Sequence, residues 1–187
     1  MHLFIELTYH HCFVTDAGWG GEMAIGSTYG VMAKRKGGRV LNPSPEYVLR
    51  EYYAAWSQVD TEAALRYCTR GVIYELLLPR DVVDFGGEAR GKHRMRRTLN
   101  AMLRDFEVIA IRPQCIVALG NQGRAQVAFR FRHRQSGLEL DGVLRHEVVF
   151  ELGRIACMRE YHDVERFRAF MRLTDVSEAR RKCSADG

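Results

Sequence analysis

Hydrophobic residues recur at two different spacings along the chain, and the change of spacing separates a helical part from a strand-rich part. Between residues 45 and 105 they recur three or four positions apart, which is typical of helices with one buried face. We predict three helices here: one capped by Ser44 with Pro45 at its first position, one beginning at Asp60, and one in "KHRMRRTLNAML". The run "VIYELLLP" predicts a strand before the third helix. The buried face of the first helix is expected to consist of Tyr47, Val48, Tyr52, Ala55 and Trp56.

From Phe106 onward the spacing changes to two, as in strands that are buried on one face. Turn residues divide this part into four predicted strands: "FEVIAIRPQCIVAL", "GRAQVAFRFRHR", "LELDGVLRHEVVFEL" and "RIACMREYH". Helices followed by antiparallel strands predict an α+β fold, in which a curved sheet wraps around the N-terminal helices.

The alternation within each strand also predicts which side chains face the core. In the second of the four strands Val127, Phe129 and Phe131 lie on the apolar face. In the third strand His146 lies on the apolar face together with Leu144 and Val148. In the last strand one face carries Ala156, Met158, Glu160 and His162, and the other carries Ile155, Cys157, Arg159 and Tyr161. We therefore expect His146 and Glu160 to point into one apolar volume.

The ends of the chain lack these patterns. Residues 1–42 are glycine-rich and end at a sharp boundary marked by Pro43, so we predict a disordered N-terminal extension, one domain over residues 43–175, and a flexible tail over residues 176–187. Met32 in "MAKRKGG" is an alternative start of the protein. The motif "HHC" at residues 10–12 is interpreted as a coincidence rather than a metal site.

Charge and cysteine content narrow the function classes. The formal net charge of +5 comes mainly from basic residues before Pro43 and at Arg180–Lys182, while "RGKHRMRR" is interpreted as a solvated helix face. No strand interleaves exposed aromatic and basic residues, so we do not expect nucleic-acid binding. Five scattered cysteines without a C-x-x-C pair favour reduced thiols. Without a membrane-spanning run or signal peptide, we expect a cytoplasmic protein that makes no membrane contact.

Three segments together resemble the nuclear transport factor 2-like superfamily: "REYYAAW" ahead of Asp60, "GKHRM" at the start of the third helix, and the closing "GRIACMREYHDVERF". The resemblance is particularly to the SnoaL-like, ketosteroid isomerase-like and limonene epoxide hydrolase-like branches, and it covers about residues 44–173. The resemblance implies a cone-shaped, cystatin-like α+β barrel around an apolar pocket, often dimeric through the outer face of the sheet. It does not imply one reaction, since the chemistry differs widely between members.

Individual residues match these relatives unevenly. Tyr52 matches a tyrosine that helps hold an oxyanion in ketosteroid isomerases, but the base of those enzymes would fall at Leu76. Glu160 matches a water-activating carboxylate of epoxide hydrolases and Tyr74 a water-holding tyrosine, whereas their Arg-x-Asp motif would fall near apolar Phe129. The complete catalytic set of neither branch is therefore present.

The remaining candidates form one predicted site. Burial raises a carboxyl pKa and lowers that of histidine, so His146 and Glu160 are the candidate catalytic pair for proton transfer, and a core pair that only closes the pocket is the alternative. His162 is placed at the rim of the pocket, and Asp163 is predicted to cap the helix "VERFRAFMRL". The predicted substrate-binding residues are Tyr52, Tyr74, Phe129, Phe131, Met158 and His162.

These observations predict a pocket protein for an apolar, ring-bearing metabolite. It would act as an isomerase, cyclase, dehydratase or hydrolase by acid-base chemistry, without a metal or organic cofactor. The alternative is a non-catalytic ligand-binding or protein-interaction module of the same fold, so the sequence leaves open whether the protein is an enzyme. We also expect a homodimer, because the predicted outer sheet face mixes apolar residues such as Val143 and Val149 with pairable charges.

Overall fold

A computed structural model describes residues 42–185 of the chain. Residues 1–41 and 186–187 lie outside the described part, and with them the "HHC" motif, Met32 and nearly all of the predicted extension. The described residues all belong to one structural unit, Leu41–Gly187.

Four helices are present in the described part: α1 (Pro45–Ser57), α2 (Thr61–Arg66), α3 (Lys92–Asp105) and α4 (Val164–Ala185). The predicted cap of the first is confirmed, since the Ser44 hydroxyl accepts the backbone N–H of Tyr47 at 3.3 Å. The second helix begins after Asp60, whose carboxylate oxygen accepts the backbone N–H of Ala63 at 2.8 Å. None of the described helices is long and apolar enough to cross a membrane.

Six strands form one curved sheet that does not close into a barrel. They are β1 (Cys68–Leu76), β2 (Gly87–Arg90), β3 (Phe106–Leu119), β4 (Gln122–His133), β5 (Glu139–Glu151) and β6 (Arg154–Tyr161). Their order in the sheet is β2-β1-β6-β5-β4-β3, so the last strand lies beside the first and pairs with it in parallel, while the other pairs are antiparallel. The predicted α+β class is confirmed, and the short strand β2 was not predicted.

The predicted faces hold along β4 and β5 and fail at the start of β6. Ile155, assigned to the outer face, is 0% exposed and belongs to the core. The reason is a register shift next to Phe150, after which Ile155 pairs with Phe150 instead of continuing the alternation. In α1 the prediction included Tyr47, which is 50% exposed, and omitted Tyr53, which is buried.

Helix α4 packs its first three turns onto the sheet. An Asp163 carboxylate oxygen accepts the backbone N–H of Arg166 at 3.0 Å, which confirms the predicted cap. Phe167 packs edge-on against Phe106, with 5.9 Å between ring centroids. The helix continues to Ala185, so the predicted domain boundary at residue 175 lies inside it. Near its end, the guanidinium of Arg181 donates to the backbone oxygen of Gln135 at 2.8 Å.

Candidate functional site

A continuous chain of hydrogen bonds joins three buried side chains on the concave side of the sheet. The hydroxyl of Tyr53 lies 2.7 Å from Nδ1 of His146, and Nε2 of His146 lies 2.8 Å from Oε2 of Glu160. The rings of Tyr53 and His146 are stacked, with centroids 5.7 Å apart and an interplanar angle of 20°. This geometry agrees with the expectation from the sequence that His146 and Glu160 point into one apolar volume.

Two further side chains bind the same carboxylate. The Tyr74 hydroxyl donates to Oε2 of Glu160 at 2.8 Å, and Nε2 of His162 lies 2.7 Å from Oε1. The Glu160 side chain is only 13% exposed. Both carboxylate oxygens are therefore held by donors from β1, β5 and the residue that follows β6.

These donors keep Glu160 ionised. Burial raises the pKa of its carboxyl group, but the hydrogen bonds from His146 and His162 more than offset that effect, so the pKa lies well below its usual value. The raised carboxyl pKa that we predicted from the sequence is therefore wrong. Burial alone supported that prediction, whereas the number of donors that meet Glu160 decides the direction of the shift.

The ionised carboxylate determines the tautomer of His146. A carboxylate only accepts hydrogen bonds, so Nε2 of His146 must carry a hydrogen. In the neutral ring Nδ1 is then an acceptor, and the Tyr53 hydroxyl donates to it. Burial raises the pKa of Tyr53, so its phenol stays protonated at neutral pH.

The strand register explains why these groups meet. His146 on β5 is directly paired with Glu160 on β6, so both side chains leave the same face of the sheet. Tyr74 lies on the neighbouring strand β1 opposite Met158, which is two residues before Glu160. Tyr53 reaches His146 from α1, which lies on the concave face of the sheet.

A cavity of about 30 Å³, hereafter the inner cavity, adjoins this network. It has room for a water molecule and is far below the roughly 300–1,000 Å³ typical of small-molecule pockets. Burial also raises the pKa of Tyr52 and of Tyr74, which both line it. Its lining residues are Tyr52, Tyr53, Trp56, Tyr74, Leu99, Met102, Ile111, Val127, Phe131, Leu144, His146 and Glu160.

The other predicted substrate-binding residues lie elsewhere. Phe129 and His162 line a separate cavity of about 310 Å³, and Met158 is buried in the core without lining either cavity. His162 was placed at the rim, yet its side chain is 3% exposed. The start of α4 covers the end of β6 there, so the rim assignment is wrong.

Tyr53 is the member of the network that the sequence pattern did not reveal. Leu49 and Tyr53 are buried together with Tyr52, so α1 has a broad buried face rather than a narrow stripe. The pair of adjacent tyrosines in "REYYAAW" was the available sign, because neighbouring helical positions are only about 100° apart around the axis and both can face a concave sheet.

Metal ligands do not cluster in the part of the chain that the structure describes. There, no group of three or more His, Cys, Asp or Glu side chains is arranged to hold a metal ion. The cysteines described, Cys68, Cys115 and Cys157, are free thiols.

The chain belongs to the SnoaL-like domain family, whose model matches residues 49–158, more than half of the sequence. The match includes Tyr53, Tyr74 and His146 and ends two residues before Glu160. No curated protein matches this chain.

Solved structures with the same fold share little sequence with it. A nuclear transport factor 2-like protein of unknown function from Burkholderia pseudomallei is 18% identical, with a TM-score of 0.61 over 68% of this chain and 95% of that one. TerC, co-crystallised with polyporic acid, is 14% identical, with a TM-score of 0.60 over 67% and 96%. A protein of ketosteroid isomerase-like fold from Catenulispora acidiphila is 12% identical, with a TM-score of 0.55 over 64% and 87%. At these identities the likeness concerns the fold.

Proposed function

We propose that the protein is an acid-base enzyme of the SnoaL-like family that moves a proton on an apolar, ring-bearing metabolite. The observation that carries this proposal is the chain Tyr53–His146–Glu160, in which a phenol, an imidazole and an ionised carboxylate are linked by bonds of 2.7 and 2.8 Å beside an apolar cavity. A hydrophobic core has no need of such a chain, because burying polar groups costs free energy that apolar packing avoids.

The geometry supports a division of roles in which His146 carries the proton. As substrate donates a proton to the Tyr53 oxygen, the phenolic proton passes to Nδ1 of His146, and the imidazolium that forms is stabilised by the Glu160 carboxylate. The reverse sequence returns a proton to another atom of the substrate, and the enzyme is restored. Glu160 orients His146 and balances its charge, as the aspartate does in a Ser-His-Asp triad.

Neighbouring side chains complete the proposed site. Tyr52, whose pKa burial raises, lines the inner cavity and is the candidate donor to a substrate oxygen. Phe131 and Leu144 supply apolar walls. Because the inner cavity holds about 30 Å³, a ring-bearing substrate has to displace partly buried side chains such as Met102 and Ile111.

Deuterium exchange tests this function without knowledge of the complete reaction. A panel of enolisable ring ketones, together with polyporic acid, which was co-crystallised with TerC, is incubated with the full-length protein in deuterated water and analysed by mass spectrometry. We expect the protein to accelerate deuterium uptake by at least one ring ketone. His146→Gln and Glu160→Gln should lower the rate by about a hundredfold or more.

The matched control is Glu151→Gln, which removes a carboxylate from an exposed position on β5 and should leave the rate unchanged. If compounds of the panel bind without any exchange above the buffer rate, the enzymatic proposal fails. An equal loss in all three variants would also reject it, because that pattern follows the folded fraction rather than the site.

A non-catalytic ligand-binding or protein-interaction module is the second candidate, and two observations favour it. The inner cavity is small, and both oxygens of Glu160 are already satisfied by protein donors. In the exchange experiment this candidate predicts binding, or no effect at all, without proton transfer.

We further propose that the protein forms a homodimer through the outer sheet face. Val143 and Val149 on that face are 48% and 41% exposed, and the Tyr161 hydroxyl donates to Glu147 beside them at 3.0 Å. An apolar centre with pairable charges suits a two-fold interface. The cytoplasmic location stays a prediction from the sequence.

A further inference from the structure

The cavity of about 310 Å³, hereafter the outer cavity, is about ten times larger than the inner cavity and shares no lining residue with it. It lies between β4, β5 and the first turn of α4. The residues that line it are Phe129, Leu140, Asp141, Gly142, Val143, His162, Asp163, Arg166 and Phe167. Its volume is at the lower end of the range for small-molecule sites.

Gly142 keeps this space open. It is paired with Phe129 across the sheet, and a Cβ atom at position 142 would lie 3.1 Å from the ring of Phe129. The same atom would lie 4.0 Å from Nη1 of Arg166. Any larger residue at this position would therefore crowd the aromatic wall of the outer cavity.

His162 supplies a polar atom without a partner. Its Nε2 is engaged with the Glu160 carboxylate and must therefore carry a hydrogen, which leaves Nδ1 of the neutral ring as an acceptor. Nδ1 is buried and has no hydrogen-bond partner, the one such side-chain atom among the described residues. His162 is one of the residues that line the outer cavity, and buried polar groups in proteins are nearly always paired, so this unpaired acceptor points to a ligand that donates.

The side chains around His162 indicate what chemistry the rest of the ligand should have. Phe129 and Phe167 flank its ring edge-on, with centroid distances of 5.4 and 5.5 Å, and present apolar and aromatic surface. Aromatic rings attract organic cations by their π electrons.

The charges of the lining are unbalanced. Asp141 is paired with Arg166, with 2.7 Å between Oδ1 and Nη2. Asp163 uses one carboxylate oxygen to cap α4 and forms no ion pair with any residue of the described range 42–185. Within that range, one carboxylate therefore remains without a cationic partner at the cavity.

We propose that the outer cavity is a second ligand site, which takes a small organic ammonium ion with an apolar body. The ammonium group donates to Nδ1 of His162 and is attracted by the Asp163 carboxylate, and the apolar body packs against Phe129 and Phe167. The proposed ligand site uses neither the inner cavity nor the His146 ring, and it touches the proposed proton-transfer network only through the hydrogen bond between His162 and Glu160.

Benzylamine is the probe, since it is protonated at neutral pH and has one aromatic ring. Benzyl alcohol and benzoate are its neutral and anionic counterparts. Each is titrated into the full-length protein carrying ¹⁵N-labelled histidine, and the ring nitrogens are followed by NMR. We expect benzylamine to shift the Nδ1 resonance of His162 and to bind at least tenfold more tightly than benzoate. Benzoate binding more tightly than benzylamine, or benzylamine moving His146 and leaving His162 unchanged, would overturn the proposal.

A pair of cap variants tests the role of Asp163 without disturbing the fold. Asp163→Asn retains a good helix cap and removes the charge, and we expect it to weaken benzylamine binding about threefold to fivefold, as for an exposed charge pair. Asp60→Asn makes the same change at the cap of α2 and should leave binding unchanged. Equal weakening in the two variants, or none in Asp163→Asn, would contradict the assignment.

Discussion

Nε2 of His146 lies 2.8 Å from Oε2 of Glu160, and these two residues are directly paired across β5 and β6. The register of the sheet therefore builds the pair, and no loop has to bring the two groups together. Since the carboxylate stays ionised, the pair holds the imidazole in one tautomer with Nδ1 turned toward Tyr53. Both the stability of the fold and the proposed proton transfer should depend on this arrangement.

Removing the Tyr53 hydroxyl should separate the role of the phenol from that of its ring. Tyr53→Phe keeps the stacking on His146 but leaves Nδ1 without its donor, so we expect a stability loss of about 1–3 kcal/mol and the loss of proton transfer. Urea unfolding and deuterium exchange measure the two effects. Tyr52→Phe is the comparison, and the same stability loss there would mean that Tyr53 has no special part in the network.

Acid should weaken the folded state through Glu160. A depressed pKa contributes stability that is fully present above the unfolded value of about 4.5 and is lost as the pH falls below it. Glu160→Gln lacks this contribution. The difference in free energy of unfolding between the wild type and Glu160→Gln should therefore shrink as the pH falls from about 5 to about 3. Urea midpoints across this range measure the difference, with Glu151→Gln as the control. A constant gap between wild type and Glu160→Gln would mean that the carboxyl pKa is not depressed.

Much of the site could be predicted because strand alternation is a local property. The pairing of β5 is regular from Leu144 to Val148, and that of β6 with β5 is regular from Met158 to Glu160. Simple alternation along each strand therefore assigned His146 and Glu160 correctly to one face. Ile155 was assigned to the wrong face because a bulge depends on how two strands pair, which one strand's sequence does not reveal. The ionised state of Glu160 was likewise beyond the sequence, since it depends on donors from separate elements.

The helices show the same division between local and tertiary information. Caps at Ser44 and Asp163 were predicted because each involves residues three apart in sequence. Tyr53 was missed because the width of a buried helix face depends on the curvature of the sheet beneath it. His162 was misplaced because nothing in β6 itself indicates that α4 will cover its end.

Substitution on the outer sheet face should dissociate the proposed dimer. Val149→Glu places a charge at the apolar centre of that face, so sedimentation at tens of micromolar should show a monomer, whereas the wild type sediments as a dimer. Leu173→Glu, at a residue that is 61% exposed on α4, should leave the dimer intact. A wild-type monomer at this concentration would reject the interface.

Limited trypsin digestion should reveal the domain boundary that the sequence predicts. The basic residues Lys34, Arg35, Lys36 and Arg39 precede Pro43, and the next site, Arg50, lies inside α1. We expect rapid cleavage at the first group and a resistant fragment beginning between Arg35 and Val40, identified by mass spectrometry. Cleavage at Arg50 as fast as at Arg39 would contradict the boundary.

The ring nitrogens of His146 test the central claim most directly. Long-range ¹H–¹⁵N NMR of the wild-type protein at neutral pH distinguishes the two tautomers of each histidine. We predict that His146 carries its hydrogen on Nε2 and has an unprotonated Nδ1, and that Glu160→Gln abolishes this preference. A hydrogen on Nδ1 with a bare Nε2, or a mixture like that of free imidazole, would contradict the ionised carboxylate and the proton path from Tyr53.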